Sequence, residues 1–306
     1  MKTELLKQNR YENVKQTMTF LLSMMILMFL LGWMLGGLGG LVFAVIISIT
    51  LLIVDASHSP LRLLRMLRAR RLGPGSHPEL YNIIRNITHR SGLTQLPELY
   101  YVPSKVMSAF VIAKEENAAI VVTGGLLRNL NFRELAGILG HEIAHIRNKD
   151  LWVMSVAETT LRIVQFLSIM GQVLVLFALP ALLYGEVQIA LLPLLLLFFA
   201  PTVCLILMMA LSRTREYEAD RMGVELVGDV YGLVSALEKL ERYHKGILSR
   251  FFLAPWKLSQ PSFLQTHPPT KDRICRLLSM SDTNDNWLLR VLLYPLGKPP
   301  WEQKFR

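Results

Sequence analysis

Residues 141–145 read HEIAH, two histidines four apart with a glutamate after the first. On a helix, residues i and i+4 stand one above the other on one face. His141 and His145 could therefore share one tetrahedral ion, and imidazole suits zinc. Glu142 would project beside such an ion rather than onto it. There a carboxylate can take a proton from an activated water and pass it to a leaving amine. The pattern HExxH arises by chance in roughly one chain per hundred of this length, so it needs support from context. The competing reading is an ordinary helix with solvated histidines. Context favours the site: Asn131 and Glu134, ten and seven residues before His141, have the spacing of a helix-starting capping box.

Two histidines do not complete a catalytic zinc site, which usually has three protein ligands and one open position. No third histidine follows at the spacing HExxHxxGxxH, because the chain continues IRNKDL after His145. The candidate for a carboxylate-bearing helix further along the chain is REYEAD at 215–220. Glu216 and Asp220 are i and i+4, on one face. Either Glu216 binds zinc and Asp220 orients a ligand histidine, or both are surface charges beside Arg213, Arg215 and Arg221. Carboxylates behind zinc-bound histidines are common, so the paired reading is coherent.

The elements that must position these residues are unusual. The chain has 306 residues, 52% of them hydrophobic. Residues 16–54 contain no charged side chain, and residues 163–211 contain only Glu186. The first tract as one straight helix would run roughly 58 Å, about twice the hydrocarbon thickness of a bilayer. GGLGG at 36–40 lies in its middle, where glycines permit a reversal. A helical hairpin is expected at 17–55. The second tract, 163–211, repeats the pattern around Gly185 and Glu186, with kinks expected from Pro180, Pro193 and Pro201. About four membrane helices in two hairpins result. Lys2, Lys7, Arg10 and Lys15 precede the first hairpin, and Arg62, Arg65, Arg68, Arg70 and Arg71 follow it. Arg162 precedes the second, and Arg213 and Arg215 follow it. The positive-inside rule puts residues 1–16 and both flanks of each hairpin in the cytoplasm. The first tract is too long for a signal peptide and lacks a convincing cleavage site.

The formal net charge of +10 clusters at the ends of the apolar tracts. No nucleic-acid-binding motif accompanies it, so the charge is read as setting membrane topology and no nucleic-acid partner is expected. Cys204 and Cys275 have no paired spacing and read as free thiols in a reducing compartment. Between the hairpins, PELYYV, SAFVIA and AAIVVT have strand composition, with KEEN at 114–117 turning between the last two. SRTREYEADRMGVELVG reads as a further helix after the second hairpin. The soluble domain is thus split into 56–162, with the HEIAH helix, and 212–306, with the third-ligand candidates.

Five stretches together resemble the HtpX family of membrane zinc proteases, related to the type 1 CAAX prenyl proteases. They are SAFV at 108–111, VVTGGLL at 121–127, HEIAHIRNKD at 141–150, SRTREYEAD at 212–220 and THPPTKDRI at 266–274. They occur in family order across essentially the whole chain. The resemblance implies an α-helical membrane protein carrying an α+β zincin-like (gluzincin) protease domain. It implies one Zn2+ held by His141, His145 and Glu216, with Glu142 as catalytic base and Asp220 behind a ligand. His267, in THPPT, is implied as a stabiliser of the tetrahedral oxyanion, with Arg273 a weaker candidate. Ser108 stands where the family usually has asparagine, which leaves the role of that position open. In zincins an edge strand pairs with the substrate backbone, and one strand between 108 and 123 is expected to do so.

The expected function is a zinc-dependent endopeptidase of the bacterial inner membrane. It would act at the cytoplasmic face on membrane or misfolded proteins, in quality control under stress. Glu216 follows Leu211 by five residues, about 7 Å if the helix continues, which would hold the site at the membrane surface. The alternatives are a CAAX-type prenyl-protein protease and a non-catalytic, zinc-stabilised membrane scaffold. A scaffold has no need of Glu142. A transporter would place ionisable groups inside its spans, and only Glu186 is there, at a turn.

Overall fold

The computed structural model describes residues 2–57, 64–75, 77–114, 117–185, 190–251 and 268–281. In chain order the elements are α1 (Lys2–Ser57), β1 (Arg70–Arg71), α2 (Pro78–Ser91), β2 (Glu98–Val102), β3 (Ala109–Lys114) and β4 (Asn117–Thr123). They continue with α3 (Gly124–Asn129), α4 (Phe132–Arg147), α5 (Asp150–Leu183), α6 (Leu191–Val227), α7 (Val230–Phe251) and α8 (Thr270–Ser281). The chain forms two compact units. Among the described residues, one comprises 2–57 and 152–214, and the other those within 64–151, 215–251 and 268–281.

The first unit is built from apolar helices. Among the described residues, three runs are long and apolar enough to cross a membrane: Glu12–Ile53, Asp150–Ala181 and Leu191–Val227. The first of these reverses. Gly36 and Gly37 leave helical geometry, and Gly37 has a φ of 54°, which glycine adopts at little cost. The two halves of α1 then lie side by side. Gly32 and Gly40 meet backbone to backbone, and the Ser48 hydroxyl lies 3.4 Å from Met28 Sδ. The pairing of α5 with α6 has a specific polar contact. Pro201 has no N–H, so the carbonyl of Leu197, one turn earlier, loses its helical donor. Ser168 on α5 donates its buried hydroxyl to that carbonyl, and Gln172 Nε2 donates to Ser168 Oγ at 3.1 Å.

The second unit is a small sheet packed with helices. The strand order is β1-β2-β4-β3. β2 and β4 are parallel, while β1 with β2 and β3 with β4 are antiparallel. The expected hairpin is present, with Ala109 opposite Val122 and Lys114 opposite Asn117. β3 is therefore an edge strand of this sheet, and it packs against α4. α4 also packs against α2 and α7. Its core contributions, Leu135, Leu139, Ile143 and Ala144, are fully buried together with Leu99, Ile120 and Leu233. α4 begins as its sequence dictates. Asn131 accepts from the Glu134 N–H at 2.9 Å, and Glu134 accepts from the Asn131 N–H at 2.8 Å. Glu134 is buried because Lys239 and Ser235 of α7 also bond it, at 2.7 and 2.6 Å.

Three features depart from the sequence reading. The helix of SRTREYEAD is not separate: α6 runs unbroken from Leu191 to Val227, since nothing between 202 and 227 interrupts it. α5 likewise begins at Asp150, well before the apolar tract. β1, only two residues long, has no pattern that could announce it.

Candidate metal centre

His141 and His145 sit on the last two turns of α4, and Glu216 on the polar part of α6. One ligand atom from each lies within 4.8 Å of the others. The two Nε2 atoms are 3.0 Å apart. His141 Nε2 is 3.6 Å from Glu216 Oε2, and His145 Nε2 is 3.9 Å from Glu216 Oε1. Zinc–nitrogen bonds of about 2.0–2.1 Å place tetrahedral ligand atoms roughly 3.3 Å apart. The Nε2–Nε2 separation and the two separations to Glu216, each to a different carboxylate oxygen, lie near that spacing, and nitrogen and carboxylate oxygen are donors zinc accepts.

The far side of each imidazole faces an acid. His145 Nδ1 bonds Asp150 Oδ2 at 2.7 Å. His141 Nδ1 lies 3.0 Å from Asp220 Oδ1, out of line for a hydrogen bond. In the tautomer with the proton on each Nδ1, the two Nε2 lone pairs converge, and a cation between them would relieve their repulsion. The charge balance says the same. Burial pulls the His145 imidazole down, but the bond to Asp150 and the charges of Glu142, Glu216 and Asp150 outweigh it, pushing it up to about 9. Those carboxylates gather negative charge around His145, a setting that a bound cation would neutralise.

Each of these acids is held by an arginine. Arg273 of α8 forks onto Asp220, with Nε–Oδ2 2.6 Å and Nη2–Oδ1 2.5 Å, and its Nη1 lies 3.4 Å from Glu216 Oε2. Arg215 donates through Nε to Asp150 Oδ1 at 2.5 Å, with a second contact from its Nη2. Glu142 is 8% exposed, and its charge acts on both His145 and Arg273. His267 lies outside the described residues.

Two glycines let α4 and α6 approach closely enough for this. A Cβ on Gly223 would sit 2.8 Å from His141 N, and one on Gly140 would sit 2.9 Å from Gly223 O. The sequence reading placed His141, His145, Glu216 and Asp220 in the candidate centre and missed Asp150, Arg215 and this glycine contact. Asp150 carries no spacing signal, because it lies off the face shared by His141 and His145 and meets His145 only through the turn at Lys149.

Comparison with known proteins agrees with this geometry. Peptidase family M48 matches residues 74–281, more than half of the chain. The chain belongs to peptidase family M48. This M48 chain is 31% identical to a Protease HtpX homolog of Desulfatibacillum aliphaticivorans, over 87% of the chain and 89% of the relative. It is 33% identical to a Protease HtpX homolog of Salinibacter ruber, over 86% of the chain and 96% of the relative. A Protease HtpX homolog of Desulforapulum autotrophicum is 31% identical over 95% and 99%. The crystal structure of S. mikatae Ste24p shares the fold, with a TM-score of 0.51 at 17% identity. That match covers 88% of this chain and 66% of Ste24p, so the chain spans slightly less than two thirds of that protein's length. This M48 peptidase is a metalloprotease, and its apolar helices make it a membrane protein.

Proposed function

We propose that the chain is a zinc-dependent endopeptidase that cuts membrane or misfolded proteins at the cytoplasmic face of the inner membrane, in quality control under stress. The observation that carries this is the convergence of His141, His145 and Glu216 beside the buried Glu142. His141, His145 and Glu216 would hold one Zn2+. When bound, zinc lowers the pKa of a water to about 7 and polarises the scissile carbonyl. Glu142 takes the proton of the attacking water and delivers it to the leaving amine. The substrate backbone adds to the edge of β3, which packs on the helix carrying HEIAH. Asp220 orients His141, and His267 donates to the oxyanion.

The proposed topology has four membrane crossings and a gluzincin-like domain. Residues 17–55 and 163–211 form the two hairpins, and residues 56–162 and 212–306 form the protease domain. The reversal at Gly36–Gly37 supports the first pair, and the contact of Ser168 with Leu197 supports the second. Basic residues flanking both pairs support a cytoplasmic site. Glu216 follows Leu211 by five residues on one helix, which supports cleavage close to the membrane surface.

Detergent-solubilised protein, prepared without zinc and then loaded, tests the reading. Zinc-dependent cleavage of an unfolded casein-like substrate, and self-cleavage, should vanish in Glu142→Gln while zinc binding persists. Equal cleavage by the variant would remove Glu142 from the mechanism, and zinc binding with no cleavage by either protein would favour a scaffold.

A further inference from the structure

We propose that Asp150 and Arg215 form a positioning pair that sets the ring of His145 for the metal. The proposal rests on the assignment of His145 as a ligand.

Asp150 is 4% exposed and Arg215 7% exposed. Both carboxylate oxygens of Asp150 are committed, Oδ2 to His145 Nδ1 at 2.7 Å and Oδ1 to Arg215 Nε at 2.5 Å. A buried carboxylate accepting from Nδ1 keeps the proton there and leaves the Nε2 lone pair directed at the ion. It also stops rotation of the ring about its own bonds.

This geometry does not follow from a continuing helix. Asp150 lies five residues beyond His145, and five residues on an α-helix turn about 140° away from the starting face. The chain instead breaks at Lys149, whose φ of 54° is left-handed, and Asp150 opens a new helix. That break brings the carboxylate back to the imidazole. A left-handed lysine costs about 1 kcal/mol, so the aiming of Asp150 is maintained against a local backbone preference.

Arg215 makes the pair more than a histidine partner. It immediately precedes Glu216 on α6, and it lies 65 residues from Asp150 in sequence. The ion pair therefore joins the segment that orients His145 to the segment that presents the third ligand. The other histidine has a parallel set of neighbours, with Asp220 3.0 Å from His141 Nδ1 but out of line and Arg273 on Asp220. Each ligand histidine is thus backed by an aspartate, and each aspartate by an arginine from a different element.

The test uses full-length protein in detergent, with Zn2+ and Co2+ affinities read by chelator competition. Asp150→Asn should weaken zinc binding by about 10–100-fold, alter the visible spectrum of the Co2+ form, and lower kcat with little change in KM. Asp150→Glu should restore part of the affinity. Arg215→Gln leaves the carboxylate on His145 but frees its second oxygen, and should weaken zinc binding less than Asp150→Asn does. Metal-free unfolding midpoints identify variants that have simply failed to fold, and Arg215→Gln carries the test if Asp150→Asn does. Folded variants that bind zinc within twofold of wild type, with the wild-type Co2+ spectrum, overturn the proposal. A wild-type protein that binds no zinc refutes the ligand assignment instead.

Discussion

Replacing Gly223 by alanine should damage the metal centre without touching a ligand. The new Cβ would lie 2.8 Å from His141 N, 3.0 Å from His141 Cα and 3.1 Å from the Gly140 carbonyl carbon. These are backbone atoms of α4, so no flexible side chain can yield. Ordinary carbon contacts begin near 3.5 Å, so α6 must retreat by about 0.5 Å. Glu216 lies seven residues earlier on the same helix, two turns away on the same face, and moves with it. Zinc ligands tolerate errors of about 0.2 Å. Zinc affinity should fall at least tenfold, and overpacking should cost about 1–3 kcal/mol. Chelator competition and thermal unfolding of the detergent-solubilised protein measure both. Gly39→Ala, where no atom lies within 4 Å, is the control. Wild-type zinc affinity in Gly223→Ala would refute the argument that helix contact sets the ligand spacing.

Other perturbations follow the same logic. Lys149→Gly removes a left-handed side chain and should raise the unfolding free energy by about 0.5–1 kcal/mol; a lower thermal midpoint would contradict the strain assigned there. Asn131→Ala removes one half of the capping box of α4 and should cost about 1 kcal/mol in denaturant unfolding. Ser168→Ala strips the Leu197 carbonyl of its replacement donor and should weaken the α5–α6 pairing by about 0.6–1.7 kcal/mol, read by unfolding in mixed detergent micelles. Chelation of zinc should lower the thermal midpoint, because at 1,000 times its Kd a ligand contributes about 4 kcal/mol. An unchanged midpoint would mean that the ion contributes nothing to folding.

What could be read in the sequence depended on how local the cause is. The capping box of α4, the hairpin of β3 and β4 and the reversal at Gly36–Gly37 are all encoded within a few residues, and each reads directly. The i, i+4 spacing of His141 with His145, and of Glu216 with Asp220, also predicts shared faces without a structure. Asp150 and Arg215 were not legible as a pair, because their meeting depends on the left-handed turn at Lys149 and on two long helices. The same holds for Gly140 and Gly223, whose small size matters only when α4 and α6 cross. β1 pairs two exposed arginines with Tyr100 and Tyr101, a register that burial alternation cannot announce.

The division of the ligands between α4 and α6 also has a consequence in time. A ribosome releases the HEIAH segment first and the Glu216 segment only after α5 and the apolar first part of α6 have been made. At about 5–20 residues per second, that interval is on the order of ten seconds. On the proposed ligand set, the nascent chain carries its catalytic glutamate throughout this interval but lacks the third ligand. Arg273, which holds Asp220, arrives later still. On that ligand set the metal site would stay incomplete until α5 and the apolar part of α6 have been made.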